Sequence, residues 1–269
     1  MKIGIDSVMV ASVEVFYGVR GQSECELSIP ETARRVVEAG FGVEVLLADH
    51  WTLRKRPSEE TIEQLTEICR EAEIMTTHAC LDTWKPEAFR EEVVLAALIG
   101  VPLMVVHPYV LGLDIEDFTP PESEVRDLCR FAFDSGVMLA LENLGKTGVG
   151  SLRRALDIVG AEPERTGLGI CVDVGHANRS CASDGIRPET FLKEFRDVIL
   201  EVHIDDNFGD KDLHLPPGRG NIDWPPVIEA IGELADDAVI CLEITSNGDP
   251  IQTLRDSRDF LVSTVNCNA

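Results

Sequence analysis

Six histidines occur in this chain of 269 residues. Five of them, His78, His107, His176, His203 and His214, stand at or just past the end of a short apolar run, and carboxylates share those places. In order, the run ends read Thr76-Thr77-His78, Val106-His107-Pro108, Leu141-Glu142-Asn143 and Val172-Asp173-Val174-Gly175-His176. A further run closes on His203 and leads through Asp205 and Asp206 to Asp212 and His214, and the last ends in Leu242-Glu243. Imidazole nitrogen and carboxylate oxygen are donors for divalent cations. Singly, each residue has a plainer account. A histidine ending a strand is often a hydrogen-bonded structural group, and a strand-end glutamate can cap a helix or pair with a lysine such as Lys146. Gathered at one place, however, the carboxylates would repel one another severely without a cation. The set as a whole points to a metal site. The sixth histidine, His50, follows another apolar run and precedes Trp51.

Residues spread so far along the chain need a scaffold that brings run ends together. Strands are expected at Lys2–Met9, Val43–Ala48, Glu73–His78, Leu103–His107, Met138–Glu142, Gly169–Asp173, Ile199–Ile204 and Val239–Ile244. Helical patterns lie between them, near 30–39, 58–72, 86–99, 121–135, 150–160, 188–196, 224–234 and 249–264. Several open on Ser or Pro followed by acid, as in Ser58-Glu59-Glu60, Pro121-Glu122-Ser123-Glu124 and Pro188-Glu189-Thr190, which suits a helix N-terminus. Strand–helix alternation at a spacing of about 30 residues implies parallel pairing. An open dinucleotide-binding sheet would carry a glycine-rich phosphate turn after an early strand, and none is present. The expectation is therefore a single (β/α)8 TIM barrel over residues 1–269, a length that suits this fold. In such a barrel the polar residues at strand C-termini converge on one mouth. The irregular stretch Val10–Leu27 reads as a long loop after strand one, with Phe16 and Tyr17 as a lid or as a wrap around the barrel end.

Composition bounds the partners. The net charge is −24, from 48 acidic and 24 basic residues. That sign disfavours polyphosphate, so nucleic acid is not expected as a partner. It suits a soluble cytoplasmic protein, and a salty cytoplasm as well. No Lys/Arg cluster is larger than Arg54-Lys55-Arg56. The eight cysteines form no CxxC pair and several sit inside apolar runs, as reduced core thiols do. No uninterrupted apolar run reaches the ~18 residues of a membrane span. Asp6 and Glu14 interrupt the N-terminal apolar stretch, so it reads as a strand rather than a signal peptide.

The segments Gly169–Asn178 (GICVDVGHAN), His203–Asn207 (HIDDN), Asp212–Trp224 (DLHLPPGRGNIDW), Ala140–Asn143 (ALEN) and Cys241–Ile244 (CLEI) together resemble the xylose isomerase-like TIM barrel superfamily. The resemblance covers essentially the whole chain. It implies a metal quartet of Glu142, Asp173, His203 and Glu243 that holds one Mn²⁺, Mg²⁺ or Co²⁺ in the sugar isomerase and epimerase branch. There Glu142 and Glu243 are the catalytic pair, passing a proton through an enediolate, and His107 and His176 contact the substrate. The related endonuclease IV branch uses three Zn²⁺ ions. In that branch His78 and His107 would join Glu142 at one zinc, the quartet would hold a second, and His176, Asp212 and His214 a third.

Three functions follow as expectations: isomerisation or epimerisation of a small sugar or polyol, dehydration or lysis of a polyol on the same site, and zinc-dependent cleavage at abasic DNA. A barrel that only binds a small molecule is a further class. Trp51, Trp84, Tyr109 and Phe208 are candidates for a wall against a sugar face, though each could equally be core. Several epimerases place a basic residue about six positions beyond the metal histidine, a spacing carried by the resemblance; here Gly209-Asp210-Lys211 occupies that region. Lys211 or Arg219 would have to grip the substrate instead. Lys146 and Arg179 are the other cations available, and a neutral substrate is favoured. Asp212 and His214 decide between extra metal and the rim of a sugar pocket. A homo-oligomer would be usual for barrels of this kind.

Overall fold

A run of branched apolar residues with no polar alternation makes a strand buried on both faces, as a parallel sheet covered by helices requires. In the computed structural model the strands are β1 (Val10–Ser12), β2 (Gly42–Leu46), β3 (Met75–His78), β4 (Leu103–Val106), β5 (Met138–Glu142), β6 (Leu168–Asp173), β7 (Ile199–Ile204) and β8 (Val239–Leu242). They pair in sequence order, all parallel, and β1 pairs with β8 to close the barrel. Residues 9–17, 26–52, 55–81, 83–115, 118–145 and 148–267 are described, apart from the side chains of 183, 184 and 265–267. Helices α1 (Ile29–Glu38), α2 (Glu59–Glu71), α3 (Pro86–Ile99), α4 (Glu122–Asp134), α5 (Val149–Val159), α6 (Pro163–Thr166), α7 (Val174–Asp184), α8 (Pro188–Phe195), α9 (Trp224–Ile231) and α10 (Pro250–Cys267) interleave with them. The expected (β/α)8 TIM barrel is the fold. No helix among the described residues is long and apolar enough to cross a membrane.

Register sets the height at which each strand end delivers its side chain. Asp173 pairs with His203 across β6 and β7, and Ile204 pairs with Leu242 across β7 and β8. Asp173 and His203 are thereby level, and Glu243 follows one residue beyond the Ile204–Leu242 pair. Helix entries follow the local chemistry. Ser28 and Glu31 form a capping box on α1, and the Ser58 side chain caps α2, which satisfies amide groups a helix start leaves open. At α3 the chain turns out through Gly100 at φ 97°, a conformation glycine adopts without cost.

The first strand differs from the sequence expectation. Its expected position at Lys2–Met9 lies outside the described residues except for Met9. The strand in the barrel is Val10–Ser12, inside the stretch read as a loop, and a 3-10 helix (Val13–Phe16) follows it. Packing selects this register: a Cβ at Gly42 would come within 2.9 Å of the Val10 side chain, so Val10 fits where β2 has no side chain. Tyr17 is not a lid over solvent. It is buried, and its hydroxyl donates to the Leu27 carbonyl at 2.9 Å. Two helices, α6 and α7, are additions to the expected set, and β8 stops at Leu242, so Glu243 stands just past the strand.

Candidate metal centre

Glu142 ends β5, Asp173 ends β6, His203 lies one residue before the end of β7, and Glu243 follows β8. The four are between 0 and 9% exposed, and each offers a donor atom within 4.8 Å of the others'. Local structure holds them there. Asn143 and Asp173 exchange reciprocal bonds: the Asn143 amide donates to the Asp173 carbonyl and the Asp173 N–H donates to Asn143 Oδ1, both at 2.9 Å. The Asp173 side chain also caps α7, with Oδ1 accepting the His176 N–H at 2.6 Å. Its Oδ2 is buried and faces His176 Nδ1 at 3.2 Å without an aligned hydrogen bond. His203 Nδ1 faces Glu243 Oε2 at 2.9 Å, yet it too makes no aligned hydrogen bond. Buried polar atoms normally find partners. Donors that converge without bonding one another suit a common cation, and three carboxylates with one imidazole suit Mn²⁺, Co²⁺, Mg²⁺ or Zn²⁺.

Electrostatics lead the same way. Burial pushes Glu142 up, but the imidazoles of His107, His176 and His78 outweigh it and hold the carboxyl well below the usual range. Burial and neighbouring Asp205 push Asp173 well above its usual value. Glu243 is held at about 2, because His203 and His214 outweigh its burial. Burial disfavours charge on His176 and His214, yet their facing carboxylates win: Asp173, Asp212 and Glu142 for the first, Glu14, Glu243 and Asp212 for the second. A cation bound among these carboxylates would compete with protons on the rings for the same negative charge.

Further imidazoles surround the quartet. His78 Nε2 and His107 Nε2 lie 3.0 and 3.2 Å from Glu142 Oε2, and the three form a second group of converging donors. His176 Nδ1 lies 2.9 Å from Glu142 Oε1 and its Nε2 bonds Asp212 Oδ2 at 3.2 Å. Asp212 lies 3.4 Å from His214 Nε2 and 3.8 Å from Arg179. Asp212 belongs to none of the four donor groups among the described residues. Lys211 and Arg219 are exposed and do not line the mouth cavity, and Lys146 lies outside the described residues. Arg179 is the cation that reaches Asp212, packed where a Cβ at Gly145 would meet its guanidinium at 2.8 Å.

The mouth cavity, open to solvent, is lined by Glu142, Glu243, His78, His107, His176 and His214 among others. Trp51 lines it as well, stacked on Tyr17 with centroids 5.5 Å apart. Of the other aromatic candidates, Tyr109 packs edge-on to His107, Trp84 packs against Phe118, and Phe208 is 55% exposed.

Three buried carboxylates were not singled out from the sequence. Glu14 lies in the 3-10 helix after β1, with Oε2 3.0 Å from His214 Nδ1. Glu44 lies within β2, with Oε2 3.2 Å from His203 Nε2, and Glu201 lies within β7. Glu44, Glu201, His203 and Cys241 form a donor group in the barrel bore. The available signal was a charge inside an apolar strand, as in GVEVL and ILEVHI, where burial costs too much unless the group has a task.

Comparison with known proteins identifies the family of this barrel. The family model described as xylose isomerase-like TIM barrel matches residues 33–264. The chain is 28% identical over 191 residues to MJ1311 of Methanocaldococcus jannaschii, covering 65% of this chain and 61% of that protein's length. A solved D-tagatose 3-epimerase-like protein superposes with a TM-score of 0.70 at 25% identity, over 97% of this chain and 100% of its own. Endonuclease IV from Thermus thermophilus shares the fold, with a TM-score of 0.59 at 16% identity over 95% and 98% of the two chains. With its match to the family model spanning most of its length, the chain belongs to the xylose isomerase-like TIM barrel family.

Proposed function

We propose that the chain is a divalent-metal-dependent isomerase or epimerase of a small sugar or polyol, in which Glu142 and Glu243 exchange a proton with the substrate. One observation carries this reading: both glutamates line the same mouth cavity and belong to the same buried quartet. They reach it from β5 and from the end of β8, so they can address two faces of one substrate carbon. Glu142, Asp173, His203 and Glu243 would hold the cation. Bound there, a divalent ion supplies Lewis acidity, which makes a C–H beside a carbonyl easier to ionise. Glu142 or Glu243 removes that proton, and the other returns one to the resulting enediolate. His176 and His107 stand beside Glu142 and can hold substrate hydroxyls. Trp51 offers an apolar wall. The likeness to a D-tagatose 3-epimerase-like structure points to ketoses as the first substrates to try. Loss of a neighbouring hydroxyl from the same enediolate would give dehydration, and product analysis separates the two.

The test is solvent deuterium incorporation. Mn²⁺-loaded protein incubated in D2O with ketopentoses and ketohexoses should label the carbon next to the carbonyl. Glu243→Gln should slow labelling by about 10²–10⁴-fold while the ion stays bound. Undiminished labelling by that variant would remove Glu243 from the reaction.

A second reading, zinc-dependent cleavage at abasic DNA, is favoured by the convergence of His78 and His107 on Glu142. The net charge of −24 opposes it, because DNA binding draws on phosphate contacts from Lys and Arg. Incision of an abasic duplex at low salt by Zn²⁺-loaded protein, with no labelling of any ketose, would reverse the order.

A further inference from the structure

The geometry points to a second cation site, formed by Glu14, His214 and Glu243 beside the quartet. Their donor atoms lie within 4.8 Å of one another, and the residues are 3, 7 and 9% exposed. Burial has not sealed them off, since all three line the mouth cavity and an ion can reach them from solvent. His214 Nδ1 approaches Glu14 Oε2 at 3.0 Å, yet it is buried without an aligned hydrogen bond. The two are within ion-pair range but not aligned as a hydrogen bond, so a cation between them could take a lone pair from each.

The backbone is arranged to hold this aim. His214 has φ 46°, a left-handed conformation that a residue with a side chain keeps only when its surroundings impose it. Thr245 imposes it: its N–H and its hydroxyl both donate to the His214 carbonyl, at 2.8 and 3.2 Å. Thr245 lies two residues after Glu243, so the anchor and the shared ligand come from one loop. Glu14 is fixed from the other side, its N–H donating to the Ser12 hydroxyl at 3.3 Å.

Two carboxylates and one imidazole suit Mn²⁺, Co²⁺ or Zn²⁺ better than Mg²⁺, which prefers oxygen and water. Glu243 belongs to both this group and the quartet, so it would bridge two ions, as carboxylates do in centres with metals about 3.5–4 Å apart. A bridging carboxylate is a weaker base. Filling the second site would therefore slow the proton transfer proposed above, a consequence that rests on that reading. The ion count does not. This site also differs from the third zinc site implied by the nuclease resemblance, which would use Asp212 and His176 in place of Glu14 and Glu243.

Equilibrium dialysis of the full chain against Mn²⁺ and Zn²⁺, with ion content measured per chain, separates these cases. Glu14→Gln and His214→Asn should each bind one ion fewer than the parent at saturating metal, whereas Asp212→Asn should bind the parent number. Circular dichroism and retention of the quartet ion report whether each variant is folded; if Glu14→Gln does not fold, Glu14→Asp, with its donor drawn back, should weaken the second ion at least tenfold. Parent-level ion content in Glu14→Gln, or loss of an ion in Asp212→Asn but not in Glu14→Gln, would overturn the proposal. Labelling of ketoses in the same samples reads the catalytic proposal separately.

Discussion

At the scale of single residues, the charges hidden inside strands are the most informative. Glu44 occupies the middle of β2, 1% exposed, with its carboxylate 3.2 Å from the Nε2 of His203. The other ring nitrogen, Nδ1, faces the quartet. A carboxylate behind a metal-binding imidazole fixes the orientation of the ring and raises its basicity, and losing such a partner typically costs about 10- to 100-fold in metal affinity. Glu44→Gln, nearly the same shape, should therefore keep the fold and weaken Mn²⁺ binding by roughly tenfold or more, read by competition with a chelating dye. Unchanged affinity would mean that Glu44 does not act on the ring. The sequence reading reached the residues at strand ends because the barrel rule says where those ends go. It passed over Glu14, Glu44 and Glu201, since nothing in a linear pattern says which inward-facing position meets which histidine across the bore.

At the scale of elements, the segment from Asp205 to Trp224 keeps its shape through one buried side chain. Asp206 accepts hydrogen bonds from the N–H groups of Asn207, Gly218 and Ile222 and from the Trp224 indole. Its backbone also pairs both ways with Leu215. Gly220 packs against the same carboxylate so tightly that a Cβ there would come within 2.2 Å of Asp206 Oδ1. Asp206→Ala would leave these buried donors without an acceptor, at a cost of about 3 kcal/mol or more. Urea unfolding should show that loss, and binding of the second ion should weaken because His214 loses its support. A variant within 0.5 kcal/mol of the parent, roughly the range of neutral surface changes, would contradict this role. The sequence showed that the segment was irregular and rich in ligands, but not that Asp206 organises it, because its partners are spread up to Trp224. Helix α7 was missed for a different reason. VGHANRSCASD is small and polar with little apolar periodicity, and what starts the helix is the Asp173 cap.

At the scale of the whole molecule, strands β5 to β8 each deliver one residue to a single point, so the ion site depends on the barrel closing correctly. This level was the most legible in the sequence. Alternation of apolar runs and helical periods over the full length leaves few topologies open, and the closed parallel order is the one expected. The strand Val10–Ser12 lies in a stretch read as loop, because its fit against Gly42 is a contact that a linear pattern does not show. The large negative charge belongs to this scale too. It disfavours long anionic partners and attracts cations. In the proposed function, Glu142, Asp173, His203 and Glu243 hold one divalent ion at the barrel mouth. The most direct test is anomalous X-ray scattering at the manganese edge from crystals grown with Mn²⁺. A peak about 2.0–2.4 Å from donor atoms of all four residues is the predicted result. At saturating metal, no peak there, or a peak confined to the bore group of Glu44, Glu201 and Cys241, would contradict it.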